Sequence, residues 1–182
     1  MSLRILLSAV LAASVLAGCK DEVTTAAAPS PLEAQADATG HYCGMLLSDH
    51  TGPKGQIHVT SGPPYWFSSV RDTIAFTRLP EEPRDIVAIY VNDMGRAGNW
   101  DQPEPGTWID ARQAHFVIES DQAGGMGAPE AVPFSDPAAA EAFRAKHGGR
   151  VVRLEEVPDA YVLGAVELEH QANGTDSHHS SE

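Results

Sequence analysis

A cysteine and a methionine flank a single glycine in His41-Tyr42-Cys43-Gly44-Met45. Thiolate and thioether are soft donors, and soft donors select Cu(I) over harder ions. The other cysteine of the chain, Cys19, follows Leu16-Ala17-Gly18. That order resembles the bacterial lipobox, in which cleavage leaves the cysteine as a lipid-modified amino terminus. With Cys19 acylated, Cys43 has no thiol to pair with, and an unpaired thiol in an oxidising compartment is a liability unless it has a task. The task read from these residues is to hold a Cu(I) ion and pass it on.

Two further methionines stand in turn-like settings beside glycine: Met94 in Asn92-Asp93-Met94-Gly95 and Met126 in Gly125-Met126-Gly127. Methionine usually fills cores, but in such settings a flexible thioether can swing to a metal. Zinc is disfavoured, because its structural sites want four Cys or His ligands. A blue-copper site would want two histidines beside the cysteine. His41, His50, His58 and His115 could supply them, but the cysteine-centred ligand loop at the end of a β-sandwich is absent. No Gly-x-Ser-x-Gly, phosphate-binding loop or dinucleotide fingerprint occurs, so a hydrolase reading is unsupported, and a carrier rather than an enzyme is expected. Two alternatives stay open. One is a thiol-dependent redox or lyase enzyme using Cys43 as nucleophile, which requires a base beside the thiol. The other is a metal-free tethering lipoprotein.

The 182 residues carry a formal charge of −13, and the apolar share of 42% is ordinary for a chain that buries a core. The charge argues against nucleic acid, whose phosphates need clustered Lys and Arg. Residues 1–18 read as a signal peptide: Arg4 supplies a basic end, and the apolar run Ile5 to Leu16 is too short to span a bilayer comfortably. Several acyl chains on Cys19 would give lasting membrane attachment. Lys20, rather than Asp, after Cys19 points to the outer membrane, with the folded part in the periplasm. Residues 19–39, rich in Ala, Pro, Ser, Thr and acids, read as a lipid-anchored flexible tether. Residues 166–182 read as a disordered tail, whose His170, His178 and His179 are solvated rather than ligating.

Between tether and tail the elements recur in one order. Gln56–Thr60 alternates as a strand, Gly62-Pro63-Pro64 turns, and Tyr65-Trp66-Phe67 starts a second strand. Ser69 with Asp72 has the form of a capping box and opens a helix that buries Val70, Ile74 and Leu79, stopped by Pro80 and Pro83. Asp85–Val91 is a strand apolar enough to be central. Ala114–Glu119, a glycine-rich loop, Ala131–Phe134, a helix from Ser135-Asp136-Pro137 through Lys146, and Arg150–Leu154 repeat that order. Phe67-Ser68 aligns with Phe134-Ser135, and Ala75-Phe76 with Ala142-Phe143, at a constant offset. The expected architecture is α+β: two related ββαβ units, 40–98 and 99–165, each a small sheet with one covering helix. Tyr161-Val162-Leu163 is read as a closing strand. The loop Asp101–Trp108 is read as folding its tryptophan onto the core, or else as a partner surface.

Four stretches taken together, Tyr42-Cys43-Gly44-Met45, Gly52–Gln56, Tyr90–Gly95 and Gly125–Phe134, resemble the NosL family of nitrous-oxide reductase accessory lipoproteins. The resemblance runs from the lipobox to about Leu163. It implies a Cu(I)-binding lipoprotein that supplies copper for the catalytic copper–sulfide centre of nitrous-oxide reductase, with that enzyme and its membrane assembly complex as partners. It implies the same two-unit architecture, and Cys43, Met45 and Met126 as metal ligands. Many members carry Cys-x-x-Cys before Gly-Met. Here Gly40 and His41 stand where the first cysteine would fall, so a histidine such as His41 or His50 is expected to compensate.

Overall fold

The computed structural model describes residues 27–165. The signal peptide, Cys19 and the histidines of the tail lie outside the described residues. The element order is β1 (Gly55–Val59), β2 (Tyr65–Phe67), α1 (Val70–Arg78), β3 (Ile86–Asn92), β4 (Trp108–Asp110), β5 (His115–Ile118), β6 (Val132–Phe134), α2 (Pro137–His147), β7 (Arg150–Val152) and α3 (Asp159–Leu163). Short 3₁₀ turns at Leu47–Asp49 and Leu154–Glu156 complete it.

The strands form two antiparallel sheets, ordered β2-β1-β3-β4 and β6-β5-β7. The first three strands of one sheet and all of the other therefore share one plan: the first strand is central, the second and third flank it, and the helix follows the second. This is the repeat expected from the sequence. The local chemistry repeats with it. Ser69 caps α1 by accepting from the Asp72 amide, and Asp136 caps α2 by accepting from the Ala138 amide, each two residues past a strand-ending phenylalanine. Pro137 in the first turn of α2 forfeits only an amide that has no partner inside the helix.

Most of the interior is one cluster to which both units contribute. Ile57, Phe67, Ile74, Phe76 and Val91 meet Phe116, Ile118, Val152 and Val157. Strand β5 shows how: Phe116 and Ile118 point into this shared core, while Val117 points the other way, to a smaller cluster with Val132, Phe134 and Ala140 under α2. The second sheet is thus covered on both faces. Helix α1 can lie close on β1 because Gly55 has no side chain: a Cβ there would collide with Thr73.

Four expectations are revised. Tyr161-Val162-Leu163 is not a strand but the last turn of α3, which starts after Pro158 and closes on the core through the buried Val162. Strand β4 lies within the span expected for the second unit, yet it pairs with β3, Asn92 opposite Trp108. Chain contacts also begin before Gly40. The backbone of Leu32 exchanges hydrogen bonds with the Gln56 side chain, and the Tyr90 hydroxyl donates to the Pro29 carbonyl at 2.6 Å. Glu33 accepts from the Gly106 amide at 2.8 Å and from Trp108 Nε1. Residues 29–33 therefore cover the polar face of the first sheet, which accounts for the burial of Gln56 and His58. Leu79, expected in the core, is the half-buried C-cap of α1.

One shared core makes a prediction. Phe116→Ala should cost about 3–5 kcal/mol, measured by urea unfolding, and near- and far-ultraviolet circular dichroism should report a single coincident transition. Two separated transitions would show that the units fold on separate cores.

Candidate metal site

Cys43 sits on a tight turn closed by the backbone. The Gly44 amide donates to the Gly40 carbonyl at 2.8 Å, the Gly40 amide to the Met45 carbonyl at 2.9 Å, and Thr39 bridges Leu46. Gly44 adopts φ 66°, a conformation that favours glycine. The His41 amide donates to the Trp66 carbonyl at 2.7 Å, which fixes the turn to β2. Gly40 lies directly beneath the thiol: a Cβ there would stand 2.6 Å from Cys43 Sγ. The half-buried sulfur faces Ser68 Oγ at 3.6 Å and His50 Nε2 at 3.8 Å. His50 follows the 3₁₀ turn Leu47–Asp49 and is 4% exposed.

A second backbone approach brings in Met126. A Cβ on Gly125 would lie 2.7 Å from His50 Cβ and 2.8 Å from the Thr51 amide nitrogen. The loop bearing Met126 therefore rests on the segment bearing His50. Cys43 and Met126 line one open cavity of about 330 Å³, whose wall is the start of α1 with Ser69 and Asp72. The guanidinium of Arg71, on the same wall, is engaged by the Val162 and Gly164 carbonyls. Burial pushes the Asp72 carboxyl above its ordinary pKa, against the pull of Ser69, Arg71 and His50. Tyr42, on the rim, donates to Glu82 at 2.8 Å. Its phenol is held well above the usual range, first by burial and then by that carboxylate.

The other sequence candidates lie elsewhere. Met45 is 44% exposed and is not among the side chains lining this cavity. Met94 packs against Val117, Val132 and Phe134 as a core filler. The ring of His41 lies among Tyr42, Tyr65, Phe67 and Phe76, with Nε2 3.4 Å from Glu82. His58 is bonded to Gln56 and His115 begins β5 opposite Phe134. Of the histidines among the described residues, His50 is the one that faces the thiol. Ser68, Asp72 and Glu130 carry no site signal in the sequence. Asp72 read as a helix cap, and nothing in the spacing of Glu130 ties it to Cys43.

Glu130 lies under the cavity wall. It is fully buried, with Oε1 accepting from the Arg71 and Ala131 amides at 2.9 and 2.8 Å. Burial raises its pKa to about 8, with a further upward push from Asp72. The two amides and Lys54 pull the other way. Burial lowers Lys54 to about 8, and its ammonium donates to the Gly52 carbonyl at 2.6 Å.

Comparison with known proteins agrees with this architecture. A family model described as NosL matches residues 31–162. The copper-binding lipoprotein NosL of Achromobacter cycloclastes is 46% identical over 174 residues, covering 94% of this chain and 88% of that one. The copper-binding lipoprotein NosL of Stutzerimonas stutzeri is 35% identical over 164 residues, covering 90% and 85%. The crystal structure of the copper chaperone NosL from Shewanella denitrificans superposes with a TM-score of 0.68 at 34% identity, covering 72% of this chain and 98% of that one. Among the described residues no helix is long and apolar enough to cross a membrane.

The raised Glu130 pKa fixes the sign of a pH effect. The folded protein binds a proton at Glu130 that the unfolded chain releases above its ordinary value, so this group's contribution to stability falls as pH rises from about 4.5 towards about 8. The stability difference between the metal-free protein and Glu130→Gln, followed by urea unfolding across that range, should shift against the wild type as pH rises, with a linkage of up to about one proton. A difference that is flat with pH would show that Glu130 is ionised when folded.

Proposed function

The chain belongs to the NosL family, and from that premise we propose that it is a Cu(I)-carrying lipoprotein that delivers copper for assembly of the catalytic copper–sulfide centre of nitrous-oxide reductase. The observation that carries the reading is the Cys43 thiol with His50 Nε2 at 3.8 Å and Met126 across the same cavity. Thiolate, imidazole and thioether form a donor set suited to Cu(I), and the two neutral ligands add no charge to a thiolate that already balances the ion. The metal itself deprotonates the thiol as it binds.

Release follows from exposure. Met126 is 51% exposed and Met45 44%, so both thioethers sit where a partner's donors can reach the ion. Thioether is the weakest donor of the set, and it is the one on the open side. Copper can then leave by stepwise ligand exchange while Cys43 and the buried His50 hold it from below. Met45, expected as a ligand, stands at the outer edge of the turn, where its flexible side chain can meet an arriving ion or partner. Attachment through Cys19 to the outer membrane would keep the carrier in the compartment where the recipient and its assembly complex are found.

The Cys43–His50 pair also favours the alternative of a thiol-dependent enzyme, because such enzymes place a base beside the sulfur. In that case alkylation of the copper-free protein would be fast at acidic pH and would collapse in His50→Ala.

Titration with Cu(I) against a chromophoric chelator should saturate at one ion per chain. Cys43→Ser should lose more than about 100-fold in affinity, and His50→Ala about 10-fold. Wild-type affinity in Cys43→Ser would overturn the assignment of the thiolate as principal ligand.

A further inference from the structure

The hairpin carrying Met126 stands on Glu130. Ala123 bridges Pro129, the Gly124 amide donates to the Ala128 carbonyl at 2.8 Å, and the Glu130 amide donates to the Gln122 carbonyl at 3.2 Å. From this foot the Glu130 carboxyl reaches two segments. Oε1 accepts from the Arg71 amide, the second residue of α1. Oε2 faces Gly124, where a Cβ would lie 2.7 Å from it. That oxygen is buried and has no hydrogen-bond partner among the described residues.

A buried carboxyl oxygen without a partner costs stability, and native interiors retain few such groups without a use. Capping of α1 accounts for Oε1, which takes the Arg71 amide that Ser69 leaves open, but not for Oε2. What Glu130 adds is a link across the site. The start of α1 belongs to the wall beside Cys43, with Ser68 3.6 Å from the sulfur and Asp72 on the cavity. Gly124 belongs to the hairpin that presents Met126.

We propose that Glu130 is a positioning residue: by binding the start of α1 with one oxygen and packing Gly124 against the other, it sets the separation of Cys43 and Met126 across the cavity. This rests on the copper reading above, with Met126 as a ligand. Glu130 touches no ion; it acts through the hairpin. Truncating it frees Met126 from its place opposite the thiol while leaving both ligands in the chain.

The test is a double-mutant cycle on Cu(I) affinity, read by competition with a chromophoric Cu(I) chelator. Glu130→Ala and Met126→Ala should each lower affinity about 10-fold, and the double variant should lose no more than Met126→Ala alone. Glu130→Gln should restore affinity to within about threefold of wild type, because its carbonyl oxygen still accepts both amides. Gly124→Ala carries the test if Glu130→Ala does not fold. It leaves Glu130 in place, and the backbone at Gly124 is not in the left-handed region, but its methyl lifts the hairpin. It should show the same loss and the same absence of additivity with Met126→Ala. Wild-type affinity in Glu130→Ala and Gly124→Ala would overturn the proposal, as would losses that add in full to that of Met126→Ala. A wild-type protein that takes no Cu(I), or a Met126→Ala variant at full affinity, would instead overturn the ligand assignment beneath it.

Discussion

The site depends on backbones that touch where side chains would hold them apart. Gly40 lies under the Cys43 sulfur, and Gly125 lies against His50 and Thr51. In each case a single methyl would stand well inside ordinary contact distance, so the thiol, the imidazole and the Met126 loop converge only because these positions lack a Cβ. A soft monovalent ion needs few ligands, but it needs them close together. The Cys43 turn, the nearby His50 segment and the distant Met126 hairpin meet here, and the constraint that brings them together is steric before it is electronic.

The repeat gives those loops their places. In each unit the second strand ends in phenylalanine and turns into a capped helix. In the first unit that junction is Ser68-Ser69, beside the thiol. In the second it is Ser135-Asp136, which faces Asp93 and carries no soft donor. The repeated plan thus gives the scaffold two equivalent junctions, of which only the first lies beside a soft donor. The shared core holds the two sheets in fixed relation, which a site assembled from both units requires.

Much of this was legible in the sequence, for physical reasons that can be named. Period-two alternation marks β1, a short apolar run marks β5, and Ser69 and Asp136 announce their helices through the amides they accept. Cys43 and Met126 stood out because soft donors are scarce and both sit beside glycine. The short β4 escaped because Trp108-Ile109-Asp110 has too few residues to show a period. The closing turn at Tyr161–Leu163 misled because its residue types favour strands, while a preceding proline and burial of Val162 against the core decide for helix. Met94 shows the limit of reading a methionine from its neighbours: the glycine beside it suggested exposure, but the thioether fills a gap under α2. His50 could not be separated from His41, nor Glu130 singled out, because what distinguishes them is which glycine packs against them without room for a Cβ, and that is a property of the tertiary structure.

Copper K-edge X-ray absorption on the Cu(I)-loaded protein tests the central assignment most directly. The account predicts a first shell of two sulfurs and one nitrogen, from Cys43, Met126 and His50, with outer-shell imidazole scattering that disappears in His50→Ala. A shell without imidazole scattering, or one unchanged in Cys43→Ser, would contradict it.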